Sequence, residues 1–122
     1  MLGRGIEVKV KIVLNDGIRT CCSRYPTVLI RKLAEEWVGD LCDVEVIDKT
    51  KEMWVPDGID AMAIKYFRES AFPLLYVDGV LIGIASFPDR EQFRELLEKR
   101  TYEAITEKDI LEAAEKYGFT NR

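Results

Sequence analysis

The sequence predicts an α/β domain of element order β-α-β-α-β-β-α with one added C-terminal helix, and three observations carry that prediction. Val8, Val10, Ile12 and Leu14 alternate with Glu7, Lys9 and Lys11, a period-two pattern that marks a strand because successive side chains point to opposite faces. Ile30, Leu33, Ala34, Trp37, Val38 and Leu41 recur at helical spacing and mark an amphipathic helix. Leu74–Val77 and Val80–Ile84 are apolar runs parted by Asp78-Gly79, a hairpin signature because a type I′ turn needs positive φ at both central residues.

The remaining elements fall between these. Asn15-Asp16-Gly17 ends the first strand, and a polar loop from Ile18 to Tyr25 holds Cys21 and Cys22. Pro26 suits a first helical turn, so the first helix is expected over about 26–39, with Gly39-Asp40 as its stop. Cys42 to Asp48 reads as the second strand, and the loop Lys49 to Pro56 follows. Asp57 is placed to cap a second helix over about 58–69, with Asp60 favouring its positive N-terminal end. Ser86 and Asp89 make a capping-box-like start for a helix through Lys99, with Phe93, Leu96 and Leu97 inward. Thr101–Ile105 is a short linker. Thr106 and Asp109 open a final helix over about 106–117, whose inner face carries Ile110, Leu111, Ala114 and Tyr117 and whose terminator is Gly118.

A strand–helix–strand unit of this length predicts a right-handed parallel crossover, and the hairpin completes a mixed four-stranded sheet. The first strand fits this uneasily. A parallel strand covered on both faces should be almost wholly apolar, and Glu7, Lys9 and Lys11 are not. Either only Ile12–Leu14 is central, or the long side chains snorkel outward.

At 122 residues the chain suits one hydrophobic core, and a single domain over 1–122 is expected. An apolar fraction of 48% is ordinary for a globular domain, and no apolar run nears the roughly 20 residues that span a bilayer. Met1 to Val8 lacks the basic-then-apolar pattern of a signal peptide, so a cytoplasmic protein without membrane attachment is expected. A net charge of −4 argues against nucleic acid, which needs a basic surface. Charged residues reach 33% while Gln92, Asn15 and Asn121 are the only side-chain amides, a usage resembling thermophilic proteins.

Histidine is absent and cysteines number three. That removes Ser-His-Asp and Cys-His machinery and His-containing zinc sites, and a single chain cannot supply a four-thiolate cluster. No cofactor is expected. Thiols, carboxylates, lysine, arginine, hydroxyls and backbone groups are left to carry any chemistry.

The element order, Cys21-Cys22 just after the first strand, and Phe72-Pro73 directly before Leu74-Leu75-Tyr76-Val77 together resemble the thioredoxin-like superfamily over roughly residues 7–100. The Cys22…Pro26-Thr27 spacing is similar to that of small bacterial thioredoxin-like proteins described as disulfide oxidoreductases. The resemblance implies a cis proline at Pro73 lying against a thiol, and a partner held in an extended pose by the backbone beside it. It departs from the family at the Cys-x-x-Cys motif: Arg24 stands in the fourth place from Cys21, Tyr25 in the fourth from Cys22, and Arg19 in the opening place of a motif that would end at Cys22. A vicinal Cys21–Cys22 bridge would be strained and labile.

The implied function is therefore a thiol protein, a disulfide oxidoreductase acting through one cysteine on a protein disulfide or a glutathione-like thiol. Its alternative is a non-catalytic thioredoxin-like module that binds a protein on the same face. Cys22 is the candidate nucleophile, with Cys21 a second candidate or a packing neighbour. Arg19, Arg24 and a helix N-terminus would lower the thiol pKa; the other reading of Cys22 is an unreactive loop cysteine. Arg19, Arg24, Lys49 and Lys51 would attract an anionic tripeptide. Phe72, Pro73 and Trp54 are candidate partner contacts, Trp54 having a second reading as a lid over the second helix. Cys42 is expected in the core and far from the other thiols: a helix of about 13 residues is roughly 20 Å long, whereas bridged Cα atoms lie about 4.4–6.8 Å apart.

Overall fold

Alternation along β1 (Lys9–Leu14) divides its side chains between two cores. The computed structural model describes residues 8–20 and 22–119; Glu7 and Cys21 lie outside them. β1 sits inside a sheet of order β4-β1-β5-β6. It runs parallel to β4 (Asp43–Asp48), in register from Lys9↔Asp43 to Leu14↔Asp48, and antiparallel to β5 (Leu74–Val77). β6 (Val80–Ile84) pairs antiparallel with β5. Asp78 and Gly79 join these two strands with φ of 51° and 82°, the conformation that the Asp-Gly pair favours.

Val10, Ile12 and Leu14 point into one core with Leu75 and Val77. There they meet Ile30, Ala34 and Val38 of α1 (Thr27–Val38) and Phe93 and Leu97 of α3 (Arg90–Lys99). Val13 points to the opposite face with Leu74 and Tyr76. It meets Ala63 and Phe67 of α2 (Ile59–Phe67) and Ile110 and Ala114 of α4 (Glu107–Lys116). This is a mixed α/β arrangement with two helices on each face of the sheet. The lysines of β1 are accommodated in two ways: Lys9 is exposed, while Lys11 places Nζ 4.6 Å from the centre of the Tyr76 ring. A snorkelling cation over an aromatic face thus lets a polar residue sit in a central strand. Among the described residues no helix is long and apolar enough to cross a membrane.

Four expectations need correction. The stretch from Ile18 to Tyr25 is not a loop throughout, because β2 (Ile18–Arg19) pairs with β3 (Arg24–Tyr25) as a short hairpin. With only two residues per strand it has no alternation to reveal it. The second helix ends at Phe67, and a 3-10 turn over Arg68–Ala71 completes the segment. Asp57 does not cap that helix. Asp60, 7% exposed, does so by folding back: its Oδ1 accepts the backbone N–H groups of Asp57, Gly58 and Ala61 at 3.2, 2.9 and 2.8 Å. Its Oδ2 accepts the Tyr76 hydroxyl at 2.6 Å. On α4, Leu111 and Tyr117 are exposed rather than inward; Ile110 and Ala114 alone fill the buried stripe. Both capping boxes form, Asp89 with Gln92 and Thr106 with Asp109.

The Asp60 site yields a first prediction. Asp60→Ala strands the Asp57 and Gly58 amides and a buried hydroxyl, while the Ala61 N–H keeps the Gly58 carbonyl at 3.0 Å, and is expected to cost roughly 2–3 kcal/mol. Tyr76→Phe removes one charge-assisted bond while leaving the amides satisfied and should cost about 1.5 kcal/mol. Urea unfolding of both variants measures the difference; equal losses would show that the amides do not depend on Asp60.

Candidate functional site

Where β1 ends, the chain turns sharply and the candidate residues gather. Asp16 and Gly17 both adopt positive φ, 65° and 73°. A Cβ on Gly17 would lie 2.2 Å from the Tyr25 carbonyl oxygen, so only glycine lets the hairpin close here. The turn is held from below by Asp48, at the end of β4. This carboxylate is 2% exposed and accepts the Asp16 N–H at 3.0 Å, the Thr27 hydroxyl, and the Thr50 N–H and hydroxyl at 3.0 and 2.5 Å. Burial pushes its pKa up, but the hydroxyls of Thr27 and Thr50 and the two amides outweigh that and hold it well below the usual carboxylate range.

Above this anchor, Asp16 Oδ2 accepts hydrogen bonds from Arg19 at 2.8 Å and Arg24 at 2.7 Å. Those bonds, Arg19's first, lower the Asp16 pKa. The two arginines expected to activate a thiol therefore share a carboxylate, and one net positive charge remains at the base of the hairpin. Cys22 is exposed at the hairpin tip, where its N–H donates to Thr20 Oγ1 at 3.4 Å. Ser23 N–H donates to the same oxygen at 3.0 Å. β3 and Pro26 intervene between Cys22 and the first residue of α1.

A groove of about 960 Å³ opens beside the hairpin. Asp16, Ile18, Arg19 and Tyr25 form one wall; Ile30, Leu33 and Trp37 of α1 form another; Phe72, Pro73, Ala85 and Phe87 close it. Trp37 stacks on Phe87 with ring centres 5.7 Å apart. The Phe72–Pro73 bond is cis. Phe72 is braced from behind, by Trp54 edge-on at 6.1 Å and by Lys49 Nζ 5.5 Å from its ring centre. Of the sequence-expected residues, Arg19, Phe72 and Pro73 line the groove. Cys22, Arg24 and Trp54 do not, and Trp54 packs half-buried with the α2 core.

Cys42 is half-buried at the end of α1 rather than enclosed, with Sγ donating to the Val38 carbonyl at 3.3 Å. Burial, with Asp43 and Asp40 nearby, pushes its thiol pKa up to about 11, so it is a poor nucleophile. It precedes Asp43, which pairs with Lys9 at the start of β1, whereas Cys22 follows the end of β1. A six-residue strand separates those levels by roughly 16 Å. Among the described residues no group of three or more cysteines and carboxylates is arranged to hold a metal ion.

Sequence reasoning missed Asp16, Asp48 and the groove wall at Trp37. Asp48 and Thr50 form an Asp-x-Thr turn, a local signal that was available; its partners at Asp16 and Thr27 carried none. Compared with models of known families the chain matches none, and no curated protein matches it.

The Asp48 network predicts an acid-side signature. Its folded pKa is depressed, so the unfolded chain binds the extra proton first, and the stability that Asp48 contributes is present above its ordinary value of 3.8 and is lost as pH falls below it. Denaturant unfolding between neutrality and strong acid should show stability falling below about pH 4, at up to about 1.4 kcal/mol per pH unit for this group. Asp48→Asn should be less stable at neutral pH and show a shallower acid slope by one proton. An unchanged slope would mean that Asp48 titrates normally in the folded protein.

Proposed function

We propose that the chain is a thioredoxin-like protein that holds an extended segment of a partner protein in the groove beside Pro73. The observation that carries this reading is the groove itself: an open cleft at the C-terminal end of β1, walled by α1 and the β2–β3 hairpin and closed by Phe72-Pro73. The sheet order and the proline directly before β5 support the thioredoxin-like assignment. Tyr25, Trp37, Phe72 and Phe87 supply broad apolar contacts, the residue types that dominate binding energy at protein interfaces, and Arg19 supplies a polar contact at one wall. The backbone beside Pro73 would align the segment.

Thiol–disulfide exchange at Cys22 is a second reading, favoured by the exposure of Cys22 at the hairpin tip and by the net positive charge left by Arg19, Arg24 and Asp16. The Cys22 thiolate would attack one sulfur of a partner disulfide, forming a mixed disulfide and releasing the other sulfur as a thiolate. The thiolate of a glutathione-like thiol would then attack the partner's sulfur in the mixed disulfide, forming a disulfide between that thiol and the partner and releasing Cys22 as a thiolate.

The two readings separate in one set of measurements. A random linear-peptide phage library panned on the wild-type protein should yield peptides whose affinity falls about tenfold or more in Tyr25→Ala and is unchanged in Cys22→Ser. Oxidised glutathione should modify Cys22 no faster than it modifies a free cysteine, and alkylation of Cys22 should follow an ordinary thiol titration at about pH 8.5. A glutathione adduct at Cys22 in preference to Cys42, with an alkylation midpoint well below that value, would transfer the function to the thiol. Absence of any enriched peptide would remove the groove reading.

A further inference from the structure

A second cavity, of about 300 Å³, lies on the other side of a narrow ridge from the groove. Its walls are apolar: Phe67 of α2, Ile84 of β6, Ile105, and Ile110 and Ala113 of α4. Ser70 and Ala85 line both this pocket and the groove. At the ridge, Ala85 leaves β6 at φ 56° and its N–H donates to the Ala71 carbonyl at 2.8 Å, which ties the two sides together. A chain lying in the groove therefore has a second, apolar depression one ridge away.

The charges beside the ridge narrow the occupant. Glu69 lines the groove side and Asp109 lines the pocket, and Asp109 is held ionised by hydrogen bonding with the Thr106 amide and hydroxyl. A fatty acid or other anionic amphiphile would bring its carboxylate against these groups. The volume lies at the small end of ligand sites and suits one large side chain.

We propose that the partner segment crosses the Ser70–Ala85 ridge and seats an aliphatic or aromatic side chain in this pocket, with a lysine or arginine beside that anchor. This specificity rests on the peptide-holding function proposed above. Burial of such an anchor contributes enough that truncating it to alanine weakens binding about tenfold or more.

The test uses the same random-peptide phage library on the intact protein. Selected sequences are expected to share one apolar position flanked by a basic residue, and synthetic peptides with alanine at that position should bind about tenfold more weakly or worse. Ala113→Leu narrows the pocket and should shift selection to a smaller anchor; Ile105→Ala widens it and should shift selection to a larger one. A loss of folding would not produce opposite size shifts. Peptides that bind through Tyr25 but show no apolar preference, or a preference unchanged in both variants, would overturn this inference while leaving the groove function standing. Saturable hexanol binding, seen as amide shifts at Ile84 and Ala113, without a peptide anchor would make the pocket a small-molecule site and overturn it equally. If no peptide binds at all, the groove function falls and the anchor falls with it.

Discussion

The Asp48 carboxylate accepts four hydrogen bonds in a site with almost no access to water, and the candidate site is built on that constraint. An ionised carboxylate out of water is costly unless its lone pairs are filled. Here they are filled by the chain leaving β1, the first turn of α1 and the chain leaving β4. These three segments are brought together by the parallel register of β1 and β4, which places Leu14 opposite Asp48. The Asp16-Gly17 turn, the hairpin and the helix that walls the groove are thereby fixed relative to one another.

The polar groups of the molecule follow one rule: each buried carboxylate serves a turn or a helix end rather than a reaction. Asp60 satisfies the start of α2 and reaches across to Tyr76, whose hydroxyl pKa is raised by burial and by that carboxylate. Asp48 satisfies the turn after β1. No buried side-chain nitrogen or oxygen among the described residues lacks a partner. The concave surfaces are a groove at Trp37 and Pro73 of mixed polar and apolar lining and an apolar pocket beside α4, and concave surface of this kind points to binding.

The arginines show how geometry redirects a chemical expectation. In sequence, Arg19 and Arg24 flank Cys22 and look like thiol activators. The hairpin pairs them with each other and aims both guanidinium groups at Asp16. Their field at the hairpin tip is that of three charges of mixed sign. Cys42, by contrast, shows what burial and neighbouring carboxylates do to a thiol.

Features that depend on neighbours in the chain were legible from the sequence. The alternation of Val8–Leu14, the helical spacing from Ile30 to Val38, the Asp78-Gly79 turn and the capping boxes at Asp89 and Thr106 each rest on backbone geometry over a few residues, so residue type and spacing suffice. The mixed sheet followed from connection length. The short β2–β3 hairpin, the exchange of the cap from Asp57 to Asp60, the outward turn of Tyr117 and the Asp48 network were decided by tertiary structure. Each depends on a partner distant in sequence, as Asp60 depends on Tyr76 and Asp48 on Asp16 and Thr27, and no local pattern encodes which distant group will arrive. The groove belongs to the same class, since its walls come from a turn, a helix and two strand ends that meet only when the sheet has formed.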